Sequence, residues 1–144
     1  MKAHYLPLVA AIAVTGAAVT NAVTAMAAAH AAPKVTAVDQ SVSNGIVSAQ
    51  EIVAGENGWM VVHRVKDNGK PGPVVGHAPL RAGVNDDVAA ILTEPVATGE
   101  KLMLMIHAET GGTQTGIFEY TLGAKEDGPI KIDGQLVMAI ITTE

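Results

Sequence analysis

The sequence predicts an all-β sandwich of about seven or eight strands behind an apolar N-terminal segment, and three observations carry that expectation. Beyond Pro33 the chain alternates short runs of β-branched and aliphatic residues with clusters of Gly, Asn, Asp and Ser. No stretch there repeats its apolar residues at the 3.6-residue period of a helix. Two runs, Met60–Val62 and Leu102–Ile106, are apolar at every position, the pattern of central strands covered on both faces.

The first element is not a strand. Lys2 supplies one positive charge, and from Leu6 to Ala32 the only polar residues are Thr15, Thr20, Asn21, Thr24 and His30. Ala29-His30-Ala31 then offers small residues at a signal-peptidase site. A charged start, an apolar middle and a small-residue exit read as a secretory signal peptide, a signal helix over residues 1–31. The competing reading is an uncleaved membrane anchor, since the run is long enough to span a bilayer. Its alanine and threonine content favours export with cleavage, which leaves no membrane span.

The domain expected over residues 34–144 has eight candidate strands: Lys34–Gln40, Gly45–Val53, Gly58–Val65, Pro73–Ala78, Asp87–Leu92, Lys101–His107, Thr115–Thr121 and Leu136–Thr142. Turn chemistry separates them at Ser43-Asn44-Gly45, Glu56-Asn57-Gly58, Asp67-Asn68-Gly69, Gly111-Gly112 and Asp133-Gly134. Trp59, the sole tryptophan, begins a central strand and is expected to be buried.

Composition narrows the chemistry. The 144 residues include no cysteine, so there is no disulfide, thiolate nucleophile or thiolate ligand, and a secreted domain must hold together by its core. The net charge of −5 and the lack of a basic patch interleaved with aromatics argue against nucleic acid as a partner. There is no Gly-x-Ser-x-Gly elbow and no Gly-rich phosphate loop. The acidic pairs Asp86-Asp87 and Glu126-Asp127 lie in loops, where like charges repel into water. No catalytic residue and no cofactor-binding residue is assigned, and a non-enzyme is expected. Asp39, Glu109, Asp127 and Asp133 form no ordered run of Ca²⁺ ligands and read as turn-capping carboxylates.

"GWMVVHRVKDNGKPGPVVGH", Gly58 to His77, reads as a hairpin turning through Asn68–Lys70. In that register Val65 opposes Pro73, His63 opposes Val75 and Val61 opposes His77. His63 and His77 then share a face, diagonal to one another and about 7–8 Å apart. A one-residue slip would separate them. His107 is the third histidine beyond the leader, with Met103 and Met105 on its own face of the strand. If the strands of His63 and His107 are antiparallel neighbours, these two histidines are expected at opposite ends of the sandwich. His63, His77, His107 and Met105 are the candidate metal ligands, and imidazole with thioether suits copper as Cu(I). The structural alternative is core packing by Met and end-capping by His.

"VDQ" at Val38–Gln40, "GWMVVH", "GPVVGHAPLRAGVNDDV", "LMLMIH" and "EDGPIKIDGQLV" occur in this order. With them, nearly all of Lys34–Glu144 resembles a family of uncharacterised secreted or surface domains of bacteria and archaea. Its pattern runs Asp-Gln, Gly-aromatic-x-Val-x-His, Gly-Pro-x-x-Gly, Leu-x-Ala-Gly, His-x-Asp and Asp-x-Pro. This chain has His107-Ala108-Glu109 at the His-x-Asp position and keeps Asp127-Gly128-Pro129. The resemblance implies a Greek-key β-sandwich, immunoglobulin-like or cupredoxin-like. The expected function is a secreted or periplasmic, non-enzymatic binding or structural domain at the cell envelope or surface, with no cofactor. Its partner is an unknown protein or surface component. The alternative is a small extracytoplasmic copper-binding protein using His and Met.

Overall fold

The computed structural model describes residues 31–144; the leader expected over residues 1–31 lies outside them but for Ala31. The described chain forms nine strands: β1 (Lys34–Thr36), β2 (Ile46–Ala54), β3 (Gly58–Val65), β4 (Pro71–Leu80), β5 (Gly83–Ile91), β6 (Lys101–Ala108), β7 (Lys131–Ile132), β8 (Gln135–Leu136) and β9 (Met138–Thr142). One sheet has the order β1-β2-β5 and a second the order β4-β3-β6-β9, all neighbours antiparallel, with β7-β8 as a small separate hairpin. Two sheets face to face make a β-sandwich, as expected. The strand order is that of the immunoglobulin-like alternative: the first, second and fifth strands oppose a sheet in which the third and sixth are central.

β3 and β6 are central because they can be covered on both sides. Met60, Val62, Leu102, Leu104 and Ile106 point to the core between the sheets, where they meet Val47, Ala49, Ile52 and Ile141. The alternate residues Trp59, Val61, Met103 and Met105 build a second cluster on the outer face, packed with Val74, Phe118 and Leu136. Every residue of Leu102–Ile106 is at most 1% exposed, so the expectation of two covered faces holds.

β2 and β5 have only one face to bury, and they change which residues do so. Val47 and Ala49 are buried, then Ile52 and Ala54, so inward parity switches near Gln50. Across the ladder Asp87 adopts a positive φ of 51°, and the pairing lapses at Gln50 and Asp87 between Ala49–Val88 and Glu51–Asp86. β4 is an edge strand carrying Pro71, Pro73 and Pro79, which lack the N–H that a further strand would need. At the opposite edge Asp39 Oδ1 accepts from Thr142 N–H at 2.7 Å, and Gln40 bridges Thr143 in parallel.

Three expectations about elements need correction. Asp86 and Asp87, expected in a loop, lie within β5, where Asp86 pairs with Glu51. Thr115–Thr121 is not a strand: Gly111, Gly116 and Gly123 take positive φ, and the segment is a looped cover over the outer face. Leu136–Thr142 is split at Val137, and the unanticipated partner of its first half is β7, joined to β8 through Asp133-Gly134, both at positive φ.

Trp59 is 7% exposed, and its indole Nε1–H donates to Glu109 Oε2 at 2.7 Å. It anchors the outer cluster at the start of β3, so Trp59→Ala should cost about 3–5 kcal/mol. Chemical denaturation checks this; a midpoint within error of the parent would show that the outer cluster does not hold the sheet.

Candidate functional site

The outer face of the four-stranded sheet gathers Trp59, His63, His77, Met103, Met105 and His107. The β3–β4 ladder pairs Val61 with His77 as the sequence predicts. Beyond Val62 the register shifts, so His63 faces Val74 rather than Val75, and Val65 faces Pro71 rather than Pro73. Val75 is the extra residue of this bulge and turns into the core between the sheets. The bulge leaves the Gly72 carbonyl beside the His63 ring, which donates to it from Nδ1 at 2.8 Å.

The expectation that antiparallel strands would hold His63 and His107 apart is overturned. β3 and β6 are antiparallel neighbours, yet the two imidazoles meet, their planes 27° apart, with centroids 5.4 Å apart and Nε2 to Nε2 3.4 Å. The ladder explains how. His63 opposes Met103 and His107 opposes Trp59, so the two are separated by one intervening outward pair, Val61 and Met105. Both side chains lean along the sheet and meet above that pair. Strand direction set where the backbones begin and end, but side-chain reach closed the gap.

Hydrogen bonding fixes what the rings present to each other. His107 Nδ1 donates to the Asp127 carbonyl at 2.6 Å, as His63 Nδ1 does to Gly72. A carbonyl only accepts, so both Nδ1 atoms carry the hydrogen and, in neutral rings, both Nε2 atoms are bare lone pairs. Both residues are 0% exposed. Burial holds the His63 pKa below its ordinary value despite the Gly72 bond; burial, aided by the neighbouring His63, takes His107 from 6.5 down to about 4.

A cover closes the site. Segment 109–130 returns across the sheet and lays Phe118 and Tyr120 on it, Tyr120 meeting His107 edge-on at 4.6 Å between centroids and His63 at 5.9 Å. Carboxylates hold this cover in shape. Asp127, 1% exposed and at φ 44°, accepts from Thr110 N–H at 3.1 Å and Glu119 N–H at 2.8 Å. Glu109 accepts from Gly116 N–H at 3.1 Å as well as from Trp59. Below, Gly58 lets β3 approach β6, since a Cβ there would run into the His107 carbonyl.

The sequence-predicted ligands therefore divide. His63 and His107 come together, and Met105 holds the ladder position between them on the same face. His77 shares the face but is exposed; it stacks on Phe118 at 4.5 Å and meets Trp59 edge-on at 5.6 Å. Among the described residues no three His, Cys, Asp or Glu side chains are grouped to hold an ion. Phe118, Tyr120 and Asp127 were not anticipated at this site. A signal existed: Trp59, Phe118 and Tyr120 are all the aromatic residues beyond the leader, and every one packs against a histidine.

Fold and site together define an immunoglobulin-like sandwich with a covered histidine pair on one outer sheet face. Over residues 33–144 the chain matches the model of a family described as Domain of unknown function (DUF7282), and it belongs to that family. No curated protein and no solved structure matches the chain.

The lowered histidine pKa values set a pH dependence. Between about pH 4 and 6.5 the unfolded histidines bind protons that the folded ones refuse, so stability rises with pH across this window and levels off above it. In chelator-treated protein the Tm should fall as pH is lowered from 6.5, and a His63→Gln/His107→Gln double variant should show a shallower slope. Equal slopes in parent and variant would contradict the neutral buried pair.

Proposed function

We propose that this domain is a non-enzymatic metal-binding module that works outside the cytoplasm, with His63 and His107 as its paired ligands. The observation that carries the reading is the confrontation of two Nε2 atoms at 3.4 Å, each on a ring whose Nδ1 is committed to a backbone carbonyl. A hydrogen bond from the second ring nitrogen to a carbonyl is the usual means by which a protein orients a ligating histidine. Two nitrogens at that separation, each about 2.0–2.1 Å from an ion, subtend about 110–115° at it, which suits a trigonal or tetrahedral site. The alternative bridging cation is a proton, and burial of both rings opposes it near neutral pH.

A binding role is supported further by what the chain lacks: cysteine, a nucleophile elbow and a phosphate loop. The Lys2 start, the apolar run and the Ala29-His30-Ala31 exit support delivery across a membrane. Among the described residues no helix is long and apolar enough to cross one.

Purified without a histidine tag, the protein should take up one equivalent of a first-row transition metal. His63→Gln and His107→Gln should each weaken binding by about a hundredfold or more, and His77→Gln should leave it within about threefold. Titration calorimetry with metal analysis measures this. Folded parent protein that binds no metal would remove the proposal.

Export is checked separately. Mass spectrometry of protein recovered outside the cytoplasm should find an N-terminus near Ala32. Intact Met1 in a membrane fraction would instead establish a retained anchor.

A further inference from the structure

We propose that the ion is Cu(I) and that the Met105 thioether is its third ligand, an assignment that rests on the histidine-pair reading above. The argument starts from coordination number. Linear two-coordination places two nitrogens on opposite sides of an ion, about 4 Å apart. The pair stands at 3.4 Å, an arrangement closer to a bent site, which leaves a position open to a further donor, than to a linear one.

The structure limits where that donor can come from. Among the described residues no third histidine and no carboxylate groups with the pair. The Asp127 carboxylate is turned to the Thr110 and Glu119 amides, and Glu109 to Trp59 and Gly116. The Tyr120 hydroxyl accepts from Gly123 N–H. On the sheet itself the imidazoles meet above the Val61–Met105 cross-strand pair, and valine has no donor atom. Met105 is 1% exposed in the outer cluster, at the register position between the two histidines on their face of the sheet. Met103 lies one pair further along, beside His63.

Donor chemistry and charge then choose the metal. Two imidazoles and a thioether form an uncharged set in which sulfur favours soft Cu(I) over Zn²⁺. Enclosure by Trp59, Phe118, Val61 and Met103 makes the surroundings apolar. The cost of moving an ion from water into such surroundings grows with the square of its charge, so a dication suffers about four times the penalty of a monocation. With no carboxylate to offset it, the site discriminates by charge as well as by softness.

The test titrates tag-free parent, Met105→Leu and Met103→Leu proteins anaerobically with Cu(I) against a chromophoric Cu(I) chelator, and separately with Zn²⁺. Extended X-ray absorption fine structure is recorded on each copper-loaded form. Leucine conserves the methionine volume, so both variants should fold, and circular dichroism confirms that before titration. The expected result is Cu(I) held at least about a hundredfold more tightly than Zn²⁺, with a sulfur shell in the parent. Met105→Leu should lose that shell and at least about tenfold in Cu(I) affinity, while its Zn²⁺ affinity moves by less than about threefold; Met103→Leu should match the parent. Copper bound without sulfur, sulfur retained in Met105→Leu, or tighter Zn²⁺ would each overturn the assignment while leaving the histidine pair standing. Folded parent that binds neither metal would overturn both readings together.

Discussion

Two imidazole nitrogens that face each other without a hydrogen between them set the terms for the whole outer face of the four-stranded sheet. Lone pairs directed at one another repel, and in an apolar enclosure no water screens them. The arrangement persists because each ring is held from behind by a backbone carbonyl, Gly72 for His63 and Asp127 for His107. Those carbonyls come from separate parts of the chain, the bulged start of β4 and the end of the covering segment. The pair thus depends on the β3–β4 bulge and on the cover at once, and neither part can shift without turning a ring.

The cover and the pair are one mechanical unit. Asp127 provides the carbonyl that fixes His107, while its side chain ties the amides of Thr110 and Glu119, near the start and middle of the covering segment. Phe118 and Tyr120 are thereby placed on the rings that Asp127 helps to orient. Glu109 adds a second tie, linking Gly116 in the cover to the Trp59 indole in the sheet. The carboxylates supply the acceptors that the loop amides need, which leaves the two facing Nε2 atoms as the exception in this otherwise satisfied layer.

The sandwich was legible because hydrophobic patterning speaks directly about burial. Gly58–Val65 matched its observed strand at both ends, and the unbroken apolar runs in β3 and β6 identified the central strands. The Val61–His77 pairing followed from parity about the turn. Parity still holds at Val62 and fails at His63, since a bulge between Val62 and His63 leaves no mark in the pattern of residue types. The meeting of His63 and His107 is hidden from the sequence for a different reason. Strand direction fixes where the backbones of the two residues lie, whereas two long side chains leaning along one face span a single intervening pair. In Thr115–Thr121 the alternation of Phe118 and Tyr120 resembles a strand because both do face the sheet, but the glycines around them and the carboxylate ties make a loop of it.

The prolines of β4 have a consequence for how many such domains can share a small volume. Growth of one sheet into another requires a free edge with a continuous row of N–H donors, and Pro71, Pro73 and Pro79 interrupt that row at three places. The other margin is occupied by the chain's own Asp39 and Gln40, which engage Thr142 and Thr143. At these positions the four-stranded sheet offers a neighbouring copy no continuous ladder to pair with, so sheet-to-sheet joining along these stretches is blunted.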